Sequence, residues 1–363
     1  MKIFCMEFCG VGVRWRGVVA GAVFAVLSVA MRAGVFAQEG RAVTVEPRNH
    51  LFTTALPDFG AKAYDEAVGA LMGDFEKTSG RSLRPGEQRR AGIKVYTASG
   101  PGIATPKNLV RAVVRELERR GFSRAGILIV DLHGQRLRDC GYLPALPAEG
   151  EGFEGSPVLV LDSGKYYNAQ WLYENPLPSR EIFARQGDYA AALALSDKHS
   201  QLPVPLLFQV DFWINLPSAM DSPALGVSGA LANATLWNIS NQRRFLDSPG
   251  NATKAAVEIA AIPELQRTLV FHLLTLERYQ YAGAPQFDSN YCLGEKQLWL
   301  SANPLILDYL MLQRFNTARA AHNIPLIEPE PPMFTQGNTP PIQLGPVRPA
   351  QIHWHRVTAA ARR

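Results

Sequence analysis

IKVYTASGPGIATPKNLVRAVVRELERRGFSRAGILIVD (Ile93–Asp131) holds an apolar run, a glycine-containing loop, a helical stripe and a second apolar run. Ile93–Ala98 reads as a strand. In the helix that follows, Leu109, Val110, Val113, Val114 and Leu117 recur at helical spacing and form one apolar face. Thr105 is placed to accept from the free amides of the first turn, and Pro106 stands where its missing N–H costs nothing. Gly121 can take the left-handed conformation that ends a helix. The closing ILIV is a continuous apolar run, which suits a strand covered on both faces. The stretch is a β-α-β unit, and its two strands should be parallel.

Outward from this unit the same alternation continues. Pro157–Asp162, Pro205–Leu216, Thr268–Leu274 and Gln297–Ala302 read as strands. Lys62–Lys77, Asn251–Arg267 and Pro304–Phe315 read as helices, with one more helix expected within Ser179–Lys198. Such alternation predicts an α/β fold with a mixed, largely parallel sheet flanked by helices. The expected organisation is a signal peptide at 1–37, a lead-in at 38–90, the α/β domain at 91–324 and a Pro-rich tail at 325–363. The tail carries eight prolines between Pro325 and Pro349. That is too many for a helix or central strand, so it should be extended, either draped over the domain or loose.

Near the start, Arg14 and Arg16 precede an apolar run of 13 residues (Val18–Ala30), and Val35-Phe36-Ala37 stands before Gln38. A basic flank, a short apolar segment and small residues before a cut site fit an export signal cleaved after Ala37. The run is shorter than the ~20 residues a bilayer needs. The expectation is a protein exported to the periplasm or beyond, with no stable membrane span after cleavage.

Cleavage removes Lys2, Arg14, Arg16, Arg32 and Glu7, so the formal net charge falls from +5 to +2. That balance is no nucleic-acid footprint. Cys140 and Cys292 are the cysteines left, and they either pair or stay as separate thiols. No Cys-x-x-Cys is present, which argues against a thiolate metal site or an iron–sulfur cluster.

Small residues dominate Asn215–Thr235, directly after an apolar strand. In an open α/β sheet ligands bind beyond the carboxyl ends of the strands. Gly226, Ser228 and Gly229 could therefore bring backbone amides to a ligand, or merely let neighbouring elements pack closely. The loop with Gly100, Gly102 and Thr105 leads into a helix N-terminus, where an anion or a plain tight turn is expected. Asn215, Asn233, Arg243 and Arg244 complete the candidate ligand set. Asp131, His133, Asp211 and Asp308 are the candidate acid–base groups. No metal set is expected, and no cofactor is assigned.

The order of segments resembles the domain-of-unknown-function family 362 over residues 90–320. The resemblance rests on Thr105-Pro106, a strand ending in Asp131, Ile214-Asn215-Leu216-Pro217, Gly226–Asn233 and Ser301–Asp308. Several charged positions of the family pattern are neutral here: Ala219-Met220 and Ala232 replace lysine or histidine, and Thr275 and Asn303 replace acids. The accessory cysteine motifs of the family are also missing. The resemblance thus implies a retained backbone with altered site chemistry. Three functions are expected: binding of a small anionic or polar ligand, an enzyme using the carboxylates above, or a structural envelope protein.

Overall fold

The computed structural model describes residues 48–148, 150–174, 199–246 and 249–359. The segment 1–37 expected to be an export signal and the helix expected within Ser179–Lys198 lie outside them. Among the described residues the strands are β1 (His50–Ala55), β2 (Ala91–Lys94), β3 (Ile127–Asp131), β4 (Gly152–Phe153), β5 (Ser156–Val160), β6 (Tyr167–Glu174), β7 (His199–Pro203), β8 (Phe212–Asn215), β9 (Ala219–Ser222), β10 (Gly226–Ser228), β11 (Leu269–Thr275), β12 (Tyr279–Gln280), β13 (Cys292–Leu293), β14 (Gln297–Ser301) and β15 (His353–Arg356). The helices are α1 (Ala61–Ser79), α2 (Lys107–Arg119), α3 (Gly134–Asp139), α4 (Val204–Phe208), α5 (Ala230–Ala234), α6 (Arg243–Leu246), α7 (Pro249–Ala260), α8 (Pro263–Thr268), α9 (Pro304–Ala321) and α10 (Met333–Gln336).

The main sheet has the order β15-β1-β14-β11-β8-β2-β3-β5-β4. Strands β11, β8, β2, β3 and β5 are mutually parallel, while β14 and β4 run against their neighbours. The fold is α/β with a large mixed, mostly parallel sheet flanked by helices. Smaller sheets, β10-β9-β12-β13 and β6-β7, sit outside it.

Strand alternation sorts the core into two layers. Ile127 and Ile129 of β3, with Ile93, Phe212, Ile214, Phe271 and Leu273, pack against Leu71, Phe75, Val110 and Leu117 of α1 and α2. Leu128 and Val130, with Trp213, Leu274 and Trp299, pack on the other side against Leu231, Val257, Leu307 and Met311 of α5, α7 and α9.

Several expected elements differ in detail. The span 205–216 is a short helix, α4, and then a four-residue strand, β8; Pro205 sits in the first turn of α4, where a proline is favoured. The helix expected over 251–267 is two helices, α7 and α8, because Pro263 lacks the N–H that would continue the first and instead starts the second. Strand β2 ends at Lys94 rather than Ala98. The sheet also reaches beyond 91–324: β1 pairs with β14, and β15, from the Pro-rich tail, pairs with β1. The tail is draped over the domain and ends in an edge strand.

Candidate functional site

The parallel strands deliver their carboxyl ends to one edge of the sheet. Tyr96, Ala98 and Ser99 follow β2, His133 follows β3 and Asp162 follows β5. These segments, with β9, β10, α6 and Pro285, line a cleft of about 600 Å³. One wall is aromatic and apolar: Trp237 meets Tyr96 edge-on at 6.1 Å and donates from Nε1 to Ser228 at 3.3 Å. Arg136 and Arg243 bring positive charge to the lining. Asp221 also lines the cleft, but its carboxylate is tied to Arg319 at 3.0 Å and accepts from the Ala284 amide at 3.1 Å. Burial raises its pKa against these contacts. His133 Nδ1 lies 3.4 Å from an Asp162 oxygen, which turns the other ring nitrogen away from that carboxylate.

Beneath the edge runs a row of buried polar side chains, one per strand. Lys94 of β2 is in register with Asn215 of β8, Asn215 with His272 of β11, and His272 with Ser301 of β14. All four are fully buried. Lys94 Nζ donates to Asp131 Oδ1 at 2.7 Å, to the Val95 carbonyl at 2.6 Å and to Asn233 Oδ1 at 2.9 Å. Thr97 donates to the other Asp131 oxygen at 2.5 Å, and the Leu132 amide donates to Oδ1 at 2.7 Å. From Asn233 the row continues through Nδ2 to Asn215 Oδ1 at 2.7 Å. Asn215 Nδ2 in turn reaches the Ala230 carbonyl at 2.9 Å and His272 Nδ1 at 2.8 Å. Every charge in a dry interior needs such partners. Burial lowers the Lys94 pKa while Asp131 opposes the shift.

The expected site residues thus divide. His133, Ser228 and Arg243 line the cleft. Asp131, Asn215 and Asn233 are in the buried row, closed off by protein partners. Asp211 is at the opposite edge, before β8, where it accepts from the Gln88 and Arg90 amides at 2.8 and 3.2 Å. Asp308, on α9, accepts from the Ala230 and Leu231 amides at 2.6 and 2.9 Å and so holds the start of α5; burial pushes its carboxyl up to about 7.

The small-residue stretch is explained by packing at its two key glycines. A Cβ on Gly229 would stand 2.2 Å from Asp308 Oδ1, and one on Gly226, at φ +75°, 2.3 Å from Pro331. Gly102 is likewise filled by the Phe287 ring, at 2.3 Å from a Cβ, and Gly100, at φ +85°, turns the loop beside Arg136. Thr105 does not cap α2: its hydroxyl accepts from the Tyr96 amide at 2.8 Å and donates to the Leu216 carbonyl at 2.7 Å, pinning the loop to the sheet. Arg244 is buried and donates to Ser200 at 2.8 and 3.1 Å, pointing apart from Arg243 as adjacent helical residues do.

Lys94 and Trp237 were not singled out by sequence. A signal for the row did exist: IKV, INL, FHL and LSA each carry one polar residue inside an apolar strand. Cys140 and Cys292 are free thiols, and burial pushes Cys140 up to about 12. Among the described residues no group of three or more His, Cys, Asp or Glu is placed to hold a metal ion. Among them also, no helix is long and apolar enough to cross a membrane.

No family model matches this chain, and no curated protein matches it. Among solved structures it is similar to the crystal structure of a protein from Thermotoga maritima, at 10% identity and a TM-score of 0.36. That similarity covers 73% of this chain and 59% of the other, so the chain spans less than two thirds of that protein.

Proposed function

We propose that the protein binds a small anionic or polar ligand in the cleft at the carboxyl edge of the sheet. The observation that carries this reading is the placement of Arg136, Arg243 and His133 beside Trp237 and Tyr96 in one cleft of about 600 Å³. Clefts of this size, with an apolar wall and a few polar groups, suit small molecules. Guanidinium groups supply the charge-assisted hydrogen bonds an anion needs, and an aromatic wall supplies area for the rest of the ligand. Asp131, Asn215 and Asn233 support the cleft from below rather than touching the ligand. Export is part of the same proposal and rests on the sequence pattern before Gln38.

Native mass spectrometry on the gently purified chain is expected to reveal a retained small molecule. The double variant Arg136→Ala, Arg243→Ala should weaken its binding about tenfold or more, as two charge-assisted contacts are lost. Unchanged affinity in that variant removes the anion-binding reading.

A second reading, acid–base catalysis, is favoured by one observation, the His133–Asp162 contact at 3.4 Å. A carboxylate on one imidazole nitrogen orients the other toward a reacting group. If the retained ligand is turned over, His133→Gln should abolish turnover while leaving binding within a few-fold.

A further inference from the structure

Strands β2 and β8 lie side by side and parallel, but the chain leaves them toward opposite faces of the sheet. After β2 it enters α2, which packs on the α1 side through Leu109, Val110 and Val113. After β8 it reaches α5 and α7, which pack on the other side through Leu231 and Val257. Such a divergence opens a crevice outside the carboxyl ends of the two strands, the place where α/β sheets bind ligands. On the α5 side that crevice is the cleft described above. On the α2 side it holds a second pocket of about 350 Å³, walled by the loops after β2 and β8, the turn after β11 and the end of α3.

The donors that meet this second pocket lack acceptors. Ser218, in the loop after β8, is 7% exposed, and its hydroxyl has no hydrogen-bond partner among the described residues. That hydroxyl is not sealed in protein, and the space Ser218 lines is this pocket. Lys107, the first residue of α2, is in the wall. Its Nζ lies over Gly141, 2.8 Å from where a Cβ would stand, and among the described residues it has no carboxylate partner. Arg278 donates from one Nη to the Gly102 carbonyl at 2.7 Å and likewise has no carboxylate partner among the described residues. The 13-residue helix α2 starts here without a side-chain cap, so its positive end lies at the pocket. The two carboxylates in the lining already have donors: Glu277 accepts from Tyr64 Oη at 2.7 Å, and Asp139 accepts from Gln135 at 2.9 Å with Arg136 at 3.5 Å. Two unpaired cations, a helix start and an unmatched hydroxyl together call for an acceptor with several oxygens.

We propose that this pocket is a binding site for a phosphate group, with Ser218, Lys107, Arg278 and the start of α2 as its donors. A phosphate offers three strong acceptor oxygens and up to two negative charges to these groups. The volume is in the range of small-molecule sites, which leaves room for a small group carried on the phosphate. The site is separate from the cleft, and its occupancy does not depend on what the cleft binds.

The test is isothermal titration calorimetry on the full chain with inorganic phosphate and with glycerol 3-phosphate, at equal ionic strength set by sodium chloride. Binding that weakens about tenfold in Lys107→Gln and about fivefold in Ser218→Ala, and stays within about twofold in the double variant Arg136→Ala, Arg243→Ala, is the expected result. Unfolding midpoints of the variants report their folding independently. Tighter binding of the ester supports the site and assigns it a small phosphorylated molecule; binding of inorganic phosphate as tight or tighter supports the site and assigns it the free ion. No binding of either ligand at millimolar concentration overturns the proposal. So does binding that Lys107→Gln and Ser218→Ala leave unchanged and that only the arginine double variant weakens, since the phosphate is then in the cleft.

Discussion

At the Lys94 end of the polar row an amine paired with a carboxylate sits in the core, whereas at the His272 end, among the described residues, no ionised side chain completes the hydrogen bonding. The Lys94 ammonium has the Asp131 carboxylate at 2.7 Å and two further acceptors, so both charges are matched inside the protein. Among the described residues His272 hydrogen-bonds only to Asn215, and burial drives it to the neutral form. Asp308, across α5, is closer to His272 in kind. Two amides hold it, no cation among the described residues is paired with it, and burial raises its pKa to about 7. The same depth of burial is opposed by an ion-pair partner in one place, where it still lowers the Lys94 pKa, and meets no such partner in the other. The first arrangement fails when either partner is removed, and the second fails with pH.

The largest expected effect breaks the paired end. Lys94→Met strands Asp131, and Asp131→Asn strands the ammonium; each should lower stability by about 3–5 kcal/mol in urea unfolding. The double variant Lys94→Met, Asp131→Leu should lose less than the two single losses combined, since neither charge is then left alone. Strict additivity would show that the pair is not acting as one.

A smaller effect separates the two neutral-leaning groups. The pKa of His272 is depressed, so its contribution is present above its unfolded value near 6.5 and is lost as pH falls toward about 3. Asp308 is raised, so its contribution is full below about 3.8 and is lost as pH rises through about 7. Between about pH 4 and 6.5 the two slopes oppose each other, each at most about 1.4 kcal/mol per pH unit. Asp308→Asn should therefore make the protein more acid-sensitive, as measured by unfolding midpoints from pH 4 to 7. An unchanged pH profile in that variant would contradict the neutralising environment.

The smallest effect concerns exposed charge. Arg136 and Arg243 are both exposed at the cleft, and replacing them with alanine should change stability by no more than about 0.5 kcal/mol in the same urea assay. A large loss would mean that these arginines serve the fold rather than a ligand.

How much of this was legible in the sequence depended on range. The β2-α2-β3 unit was readable because its signals are local: an apolar stripe at helical spacing, a proline at the first turn and a glycine after the last. Strand β1 was hidden inside a polar lead-in, and β15 inside a tail whose prolines speak against strand. Neither has local evidence, because each is a strand only through its partner. The site behaved likewise. Asp131 and Asn233 could be named from sequence, but their link through Lys94 is set by parallel pairing between strands separated by a whole helix. Asp211 and Asp308 were named for their chemistry and turned out to serve backbone amides, which a lone carboxylate in a sequence does not reveal. Gly226 and Gly229 left two readings open, and Pro331 and Asp308, residues far along the chain, decide for close packing.

The position of β1 also bears on how the molecule is assembled in time. Its neighbours are β14 and β15, and the hydrogen bonds from Ser301 to His50 and between His355 and His50 span 251 and 305 residues of chain. Strand β1 therefore waits for β14 and β15 to be made before its flanks are satisfied. Contacts that bridge such distances close slowly, because the entropy of a long loop must be met before any pairing is gained. The β2-α2-β3 unit can form while the chain is still being made, and the edge built from β1, β14 and β15 follows later.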